Sequence, residues 1–218
     1  MAKAYRTSIS THYNGKPYVY GYDLTKLAEN SSFTKTIYLI LMGKMPDINS
    51  ERMLDAILTI SIDHGVEPSS IVSARNVYSG GSPVQAAVAA GILAFGEFHG
   101  GAIEKAMENF KAYIDRKPSE MVGDFNIKGE RISGFGHRLY TSDPRTVKLV
   151  MIAKKLGFWG KYVRFAEGLE KELSGGAKKL PLNIDGIIAA LLLEMGFGPK
   201  VGKGIFIIAR VPGIVAHV

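Results

Sequence analysis

The sequence has no cysteine and a single tryptophan among its 218 residues. Without cysteine there are no disulfides, thiolate metal sites or cysteine nucleophiles, and the composition fits a reducing cytoplasm. Long apolar runs are also missing. The two longest, 184–195 and 204–216, are interrupted by Asp185 and Glu194 and by Arg210. Both fall short of the roughly 20 apolar residues a bilayer span requires, so they read as buried core helices and no membrane partner is expected. The opening MAKAYRTSIS holds no apolar stretch of the kind a signal peptide carries. Blocks of like charge are absent as well. The net charge is +7, but lysines and arginines are scattered, with no run of five and no nucleic-acid motif. Nucleic acid is therefore not the expected partner; the phosphates of a small polyanionic metabolite, or a plainly solvated surface, account for the basic balance.

What is present is a globular composition, 46% hydrophobic and 22% charged, with enough apolar surface to offset chain entropy. The first 22 residues alternate around the turn Asn14-Gly15, with Thr7, Ile9 and Thr11 before it and Tyr18, Tyr20 and Tyr22 after it, which predicts a short hairpin. Helical periods follow over 24–29, 33–42, 51–63, 69–78, 85–95, 102–114, 144–156, 161–173, 184–195 and 201–216. Ser50 is the expected N-cap of the third of these, and Pro212 is expected to kink the last. Residues 116–143, with Gly123, Gly129, Gly134 and Gly136, read mainly as loop. The predicted class is all-α.

Three of the five histidines touch glycine, in Asp63-His64-Gly65, His99-Gly100-Gly101 and Gly136-His137-Arg138. Glycine lets a backbone approach a ligand closely, and each motif falls at a predicted helix edge where backbone N–H groups are free. Satisfied loop or capping histidines are the plain alternative. Their separations, 35 and 38 residues, match no zinc pattern, and there is no HExxH, so no metal is expected. No G-x-S-x-G elbow is present, and Gly134-Phe135-Gly136 is a lone G-x-G without a preceding strand. Asp185, just ahead of an apolar helix, is either an N-cap or a carboxylate base whose proton affinity is raised by apolar surroundings. Arg210, inside an otherwise apolar helix, needs an anion, from an internal salt bridge or from a substrate carboxylate. Arg145 is a second candidate carboxylate ligand, or pairs at the surface with Asp143. Lys178 and Lys179 lie in a glycine-rich loop, open to phosphates or to solvent.

Taken in order, these pieces resemble the citrate synthase superfamily over nearly the whole chain. The matching segments are Thr7-Ser8-Ile9-Ser10 through Gly21-Tyr22-Asp23-Leu24, Leu27-Ala28, Ser32-Phe33, Asp63-His64-Gly65, and Gly96-Glu97-Phe98-His99-Gly100-Gly101-Ala102. They continue with Gly134-Phe135-Gly136-His137-Arg138-Leu139-Tyr140, Asp143-Pro144-Arg145, Asn183-Ile184-Asp185, Ala209-Arg210-Val211 and Ala216-His217. The resemblance implies a helical large lobe (1–98 and 196–218), a smaller helical lobe (99–195), a cleft between them, and a homodimer, to be found in the cytoplasm that the lack of cysteine suggests. It implies coenzyme A as part of the substrate, in acetyl-CoA or citryl-CoA, with oxaloacetate as the other product or reactant. By the same resemblance Asp185 exchanges the α-proton of acetyl-CoA, His99 holds the thioester oxygen, and His137 exchanges a proton with the ketone or hydroxyl oxygen. His64, Arg145 and Arg210 hold carboxylates, and Gly134, Phe135, Gly136 and Lys178 face CoA. The chain is shorter than ordinary citrate synthases, lacking a helical section before Asp63. Ile103 stands where synthases usually carry asparagine, the His137-to-Arg145 spacing is one residue shorter, and Gly186-Ile187-Ile188-Ala189 resembles citryl-CoA lyases and the lyase module of ATP-citrate lyase. The sequence ends at Val218, before the position of a further arginine of the family. Citryl-CoA cleavage is therefore the leading expectation, ahead of citrate synthase proper and of a non-catalytic CoA- or dicarboxylate-binding homologue.

Overall fold

Asn14 and Gly15 both adopt positive φ (49° and 72°), the backbone that a two-residue hairpin turn requires. Around them β1 (Ser10–Tyr13) and β2 (Lys16–Val19) pair antiparallel, with Tyr13 opposite Lys16, and β3 (Tyr22–Asp23) pairs antiparallel with β2. The computed structural model describes residues 6–137, 142–175 and 179–218. Its chain divides into two compact units, 1–55 and 56–218.

In the first unit Asp23 caps α1 (Leu24–Asn30) and Ser32 caps α2 (Phe33–Met42), each side chain accepting hydrogen bonds from the N–H groups that a helix start leaves free. Val19, Leu27 and Leu39 form its core, with Tyr20 and Met45 packed against them. The helix α3 (Ile48–Ile60) begins earlier than expected, and Ser50 is not its cap. Asp47 takes that role, its Oδ1 accepting from the backbone N–H of Asn49 and Ser50 at 2.9 and 2.8 Å. A carboxylate three residues upstream outcompetes the serine hydroxyl, which itself donates to Asp47 Oδ2.

The second unit is built from α4 (Ser69–Ser79), α5 (Val84–Leu93), α6 (Ala102–Tyr113), α7 (Pro118–Lys128), α8 (Pro144–Leu156), α9 (Lys161–Ser174), α10 (Ile184–Glu194) and α11 (Pro199–His217). The all-α expectation holds. The helix α7 corrects the expectation of loop over 116–143. Pro118 opens it at the first helical position, Glu120 accepts the Lys117 N–H at 3.1 Å, and Gly129 closes it in the left-handed region. Gly123 sits within it without ending it.

At the centre, α10 is buried on every side and packs against α6, α8, α9 and α11. Only its two acidic residues, Asp185 and Glu194, are half-buried rather than fully buried. Such an all-round apolar helix belongs to a core. Glu194 serves a structural end, accepting the N–H groups of Tyr162 (2.5 Å) and Val163 (3.3 Å) at the start of α9. The helix α11 runs through Pro212. Among the described residues no helix is long and apolar enough to cross a membrane.

Candidate active site

Residues 61–65 follow α3 and are held by α11. Arg210 Nε donates to the Ser61 carbonyl at 2.8 Å, and His217 Nε2 lies 3.1 Å from Asp63 Oδ1. Gly213 permits the approach, since a Cβ there would lie 2.5 Å from the Ile62 carbonyl oxygen. Asp63 Oδ2 in turn accepts the Gly65 N–H, which sets the turn carrying His64. The His64 Nδ1 is 3.4 Å from Arg145 Nη1. An arginine only donates, so Nδ1 accepts and the ring proton belongs on Nε2. Burial lowers the His64 pKa, and the charges of Arg145, Arg210 and His137 lower it further, so its neutral form is favoured.

His99 lies between α5 and α6. Its Nε2 is 2.9 Å from Ser70 Oγ on α4, and its ring stacks on Phe95 at 4.6 Å with an edge contact to Phe206 at 6.5 Å. Burial, then Arg210 and His64, lower its pKa. With Nε2 engaged, Nδ1 is the nitrogen left to meet a ligand.

Two motifs far apart in sequence, 134–137 and 181–185, are zipped together. Gly136 N–H donates to the Pro181 carbonyl at 2.7 Å, Asn183 N–H to the Gly134 carbonyl at 3.0 Å, and Asn183 Nδ2 to the Gly136 carbonyl at 2.9 Å. Phe135 and Leu182 form the antiparallel bridge between them. The backbones meet so closely that a Cβ at Gly134 would fall 2.6 Å from the Gly186 Cα. This bridge brings His137 and Asp185 to one wall.

Asn183 also decides what Asp185 is. Its Oδ1 accepts the N–H groups of Asp185 and Gly186 at 3.0 and 3.1 Å, so Asn183 is the cap of α10 and Asp185 is not. The Asp185 carboxylate accepts no hydrogen bond among the described residues. Burial pushes its pKa up to about 6, against the pull of Arg145 and Arg210 and with Asp143 adding to the rise.

Arg145 and Arg210 supply the positive wall. Arg145 is held by Asp143, with Nε 3.1 Å from Oδ1 and Nη2 2.8 Å from Oδ2. The pair is not a surface one, because the Asp143 side chain is wholly buried. Burial raises the Asp143 pKa, but the side-chain and backbone hydrogen bonds from Arg145 outweigh it and hold it below the usual range. Arg210 is 3% exposed, forms no ion pair among the described residues, and lies over the Phe206 ring at 4.9 Å.

His64, His99, His137, Arg145, Asp185 and Arg210 all line one cavity of about 700 Å³. That volume suits a small-molecule site. Gly136 lines it too, whereas Gly134 and Phe135 are not in its lining and serve the bridge to 182–183. Lys178 lies outside the described residues. Sequence reasoning missed Ser61, Ser70 and Asn183 as site residues. Asn183 carried a signal, a capping residue type just ahead of an apolar helix; Ser70, 29 residues from His99, carried none. A carboxyl group titrating near 6, two imidazoles favoured as neutral, a third histidine and two guanidiniums form a set able to move a proton next to a carbonyl of an anionic substrate. Among the described residues no cluster of three or more His, Asp or Glu side chains is placed to hold a metal ion.

Residues 46–218 match the family described as citrate synthase, C-terminal domain. The structure of citryl-CoA lyase from Hydrogenobacter thermophilus is similar to this chain at TM-score 0.95 and 45% identity, covering 99% of this chain and 86% of that one. Citrate synthase of Haloferax volcanii is 31% identical over 205 residues, 91% of this chain and 54% of the relative. ATP-citrate synthase beta chain protein 1 of Arabidopsis thaliana is 30% identical over 189 residues, 76% of this chain and 30% of the relative. The chain thus spans about half or less of these two curated relatives.

Proposed function

This chain belongs to the citrate synthase family, and from that premise we propose that it cleaves the carbon–carbon bond of citryl-CoA to give acetyl-CoA and oxaloacetate. The observation that carries the reading is the convergence of Asp185, with its pKa near 6, on a cavity shared with His99, His137 and a cationic wall. In the cleavage direction His137 takes the proton of the tertiary hydroxyl. As that oxygen becomes the ketone of oxaloacetate, the bond to the thioester's α-carbon breaks and its electron pair passes into the thioester as an enolate. His99, its Nε2 engaged by Ser70, donates from Nδ1 to the enolate oxygen. Asp185, in its acid form, delivers a proton to the α-carbon. One proton is taken up and one delivered, and exchange with water restores both groups. A carboxyl group with a pKa near 6 has both forms available close to neutrality, which suits this role.

His64 through Nε2–H, Arg145 and Arg210 hold the carboxylates of the citryl group. CoA enters the proposal as part of the substrate, faced by Gly136, which lines the cavity, and by Lys178. Exposed Val72, Tyr78, Val84 and Leu93 on α4 and α5 support a homodimer, since apolar surface of this kind favours association. The two-lobe division (1–98 with 196–218, and 99–195) and a cytoplasmic location belong to the same proposal.

Citrate synthase proper, which also hydrolyses the thioester, is the second reading, supported by the likeness to the Haloferax volcanii enzyme. The higher identity and fuller coverage of the lyase favour cleavage. Oxaloacetate release from citryl-CoA, compared with CoA release from acetyl-CoA plus oxaloacetate, separates them. The expected result is faster cleavage, with acetyl-CoA rather than free CoA as the product. Turnover in neither direction by folded protein would sink both readings.

A further inference from the structure

Ser61 follows α3, is 3% exposed and belongs to the cavity lining. Its Oγ has no hydrogen-bond partner among the described residues. A hydroxyl offers one donor and two acceptor sites, and leaving it buried and unpaired is unfavourable. The Ser61 carbonyl, by contrast, is taken by Arg210 Nε at 2.8 Å. Arg210 is equally buried and has no carboxylate partner among the described residues; with Nε engaged, its two Nη groups remain for a ligand. A buried cation and a buried hydroxyl, each short of a partner, therefore share one wall. A carboxylate satisfies both at once, accepting from the guanidinium with one oxygen and from the hydroxyl with the other. A neutral carbonyl would leave the cation uncompensated.

We propose that Ser61 donates its hydroxyl hydrogen to the substrate carboxylate that Arg210 holds, and so selects a dicarboxylate portion over a neutral analogue. The proposal deepens the citryl-CoA reading and rests on it for the identity of the substrate. Ser61 is a binding residue in this scheme, remote from the proton transfers, so its loss weakens binding and leaves the chemical step intact.

The test uses Ser61→Ala and Ser61→Cys, the second preserving shape but donating only weakly. Oxaloacetate binding is measured by calorimetry, citryl-CoA cleavage by steady-state kinetics, and thermal unfolding without ligand. Both variants are expected to bind oxaloacetate about tenfold more weakly, the loss of one hydrogen bond to a charged group. The KM for citryl-CoA rises in parallel, kcat changes by less than about threefold, and Tm stays level or rises, because the unpaired hydroxyl is gone from the unliganded fold. Oxaloacetate affinity within about twofold of wild type in the alanine variant overturns the proposal. So does weaker binding accompanied by a Tm lower by several degrees, which marks a structural hydroxyl, and so does a wild-type protein that does not bind oxaloacetate. A wild-type protein that binds oxaloacetate but does not cleave citryl-CoA defeats the cleavage reading alone, and the binding data still decide the role of Ser61.

Discussion

Asp143 and Asp185 stand at the starts of α8 and α10, close to the same cavity, yet their surroundings drive them in opposite directions. Asp143 caps its own helix through the Arg145 N–H and grips the Arg145 side chain with both oxygens. Its negative charge is satisfied, and its pKa is held low. Asp185 is spared the capping task by Asn183, its carboxylate is left without a hydrogen-bond donor among the described residues, and burial lifts it to about 6. Residue type and helix position are nearly the same. What separates a structural carboxylate from one ready for proton transfer is whether its neighbours satisfy the charge.

The largest expected effect comes from breaking the unsatisfied member. Asp185→Asn keeps the shape and removes the titrating group, so kcat for citryl-CoA cleavage should fall about 10³-fold, within the range for loss of a general acid–base, while KM stays within about threefold. A variant that retained a tenth of the wild-type kcat would erase the distinction between the two aspartates. Asp143→Asn breaks the satisfied member. An asparagine still caps the helix, but Arg145 loses its counter-charge. The expected cost is about 2 kcal/mol in urea unfolding, below the usual figure for a broken buried pair because the Arg145 side chain is 22% exposed. A loss under about 0.5 kcal/mol would class the pair with ordinary surface ion pairs.

A third effect is in the pH dependence of stability. The folded pKa of Asp185, about 6, lies above the unfolded value near 3.9, so between these values the folded state binds more protons than the unfolded one. Stability from this group therefore declines as pH rises from about 4 to about 6. Asp143 works the other way: its lowered pKa contributes stability that is present above the unfolded value and lost as pH falls through the folded one. Melting curves of wild type and Asp185→Asn between pH 4 and 7 should show the variant gaining on the wild type as pH rises. Parallel curves would mean that Asp185 titrates normally.

Local chemistry was legible in the sequence wherever neighbours in the chain set the conformation. The turn at Asn14-Gly15, α2 between Ser32 and Gly43, and α8 between Asp143 and Gly157 each carry their own start and stop residues. The helix α7 was hidden because Gly123 and Gly129 look alike in sequence, although one sits inside a helix and the other ends it. Asp47 against Ser50 was a contest between two capping side chains that sequence alone does not score. The histidine, aspartate and arginine positions stood out by their glycine neighbours and apolar settings, and they do meet in one cavity. Their partners did not stand out. Ser61 meets Arg210 across 149 residues and Asn183 meets Gly136 across 47, contacts that only the folded backbone creates.

In the proposed cleavage Asp185 delivers the proton that completes acetyl-CoA. Cleaving citryl-CoA in D₂O with wild type and Asp185→Asn, and reading the products by mass spectrometry, tests it most directly. The expected result is one deuterium in the acetyl-CoA methyl for each oxaloacetate formed by the wild type, and product formation slowed about 10³-fold in the variant. Oxaloacetate and deuterated acetyl-CoA produced by Asp185→Asn at the wild-type rate would contradict it.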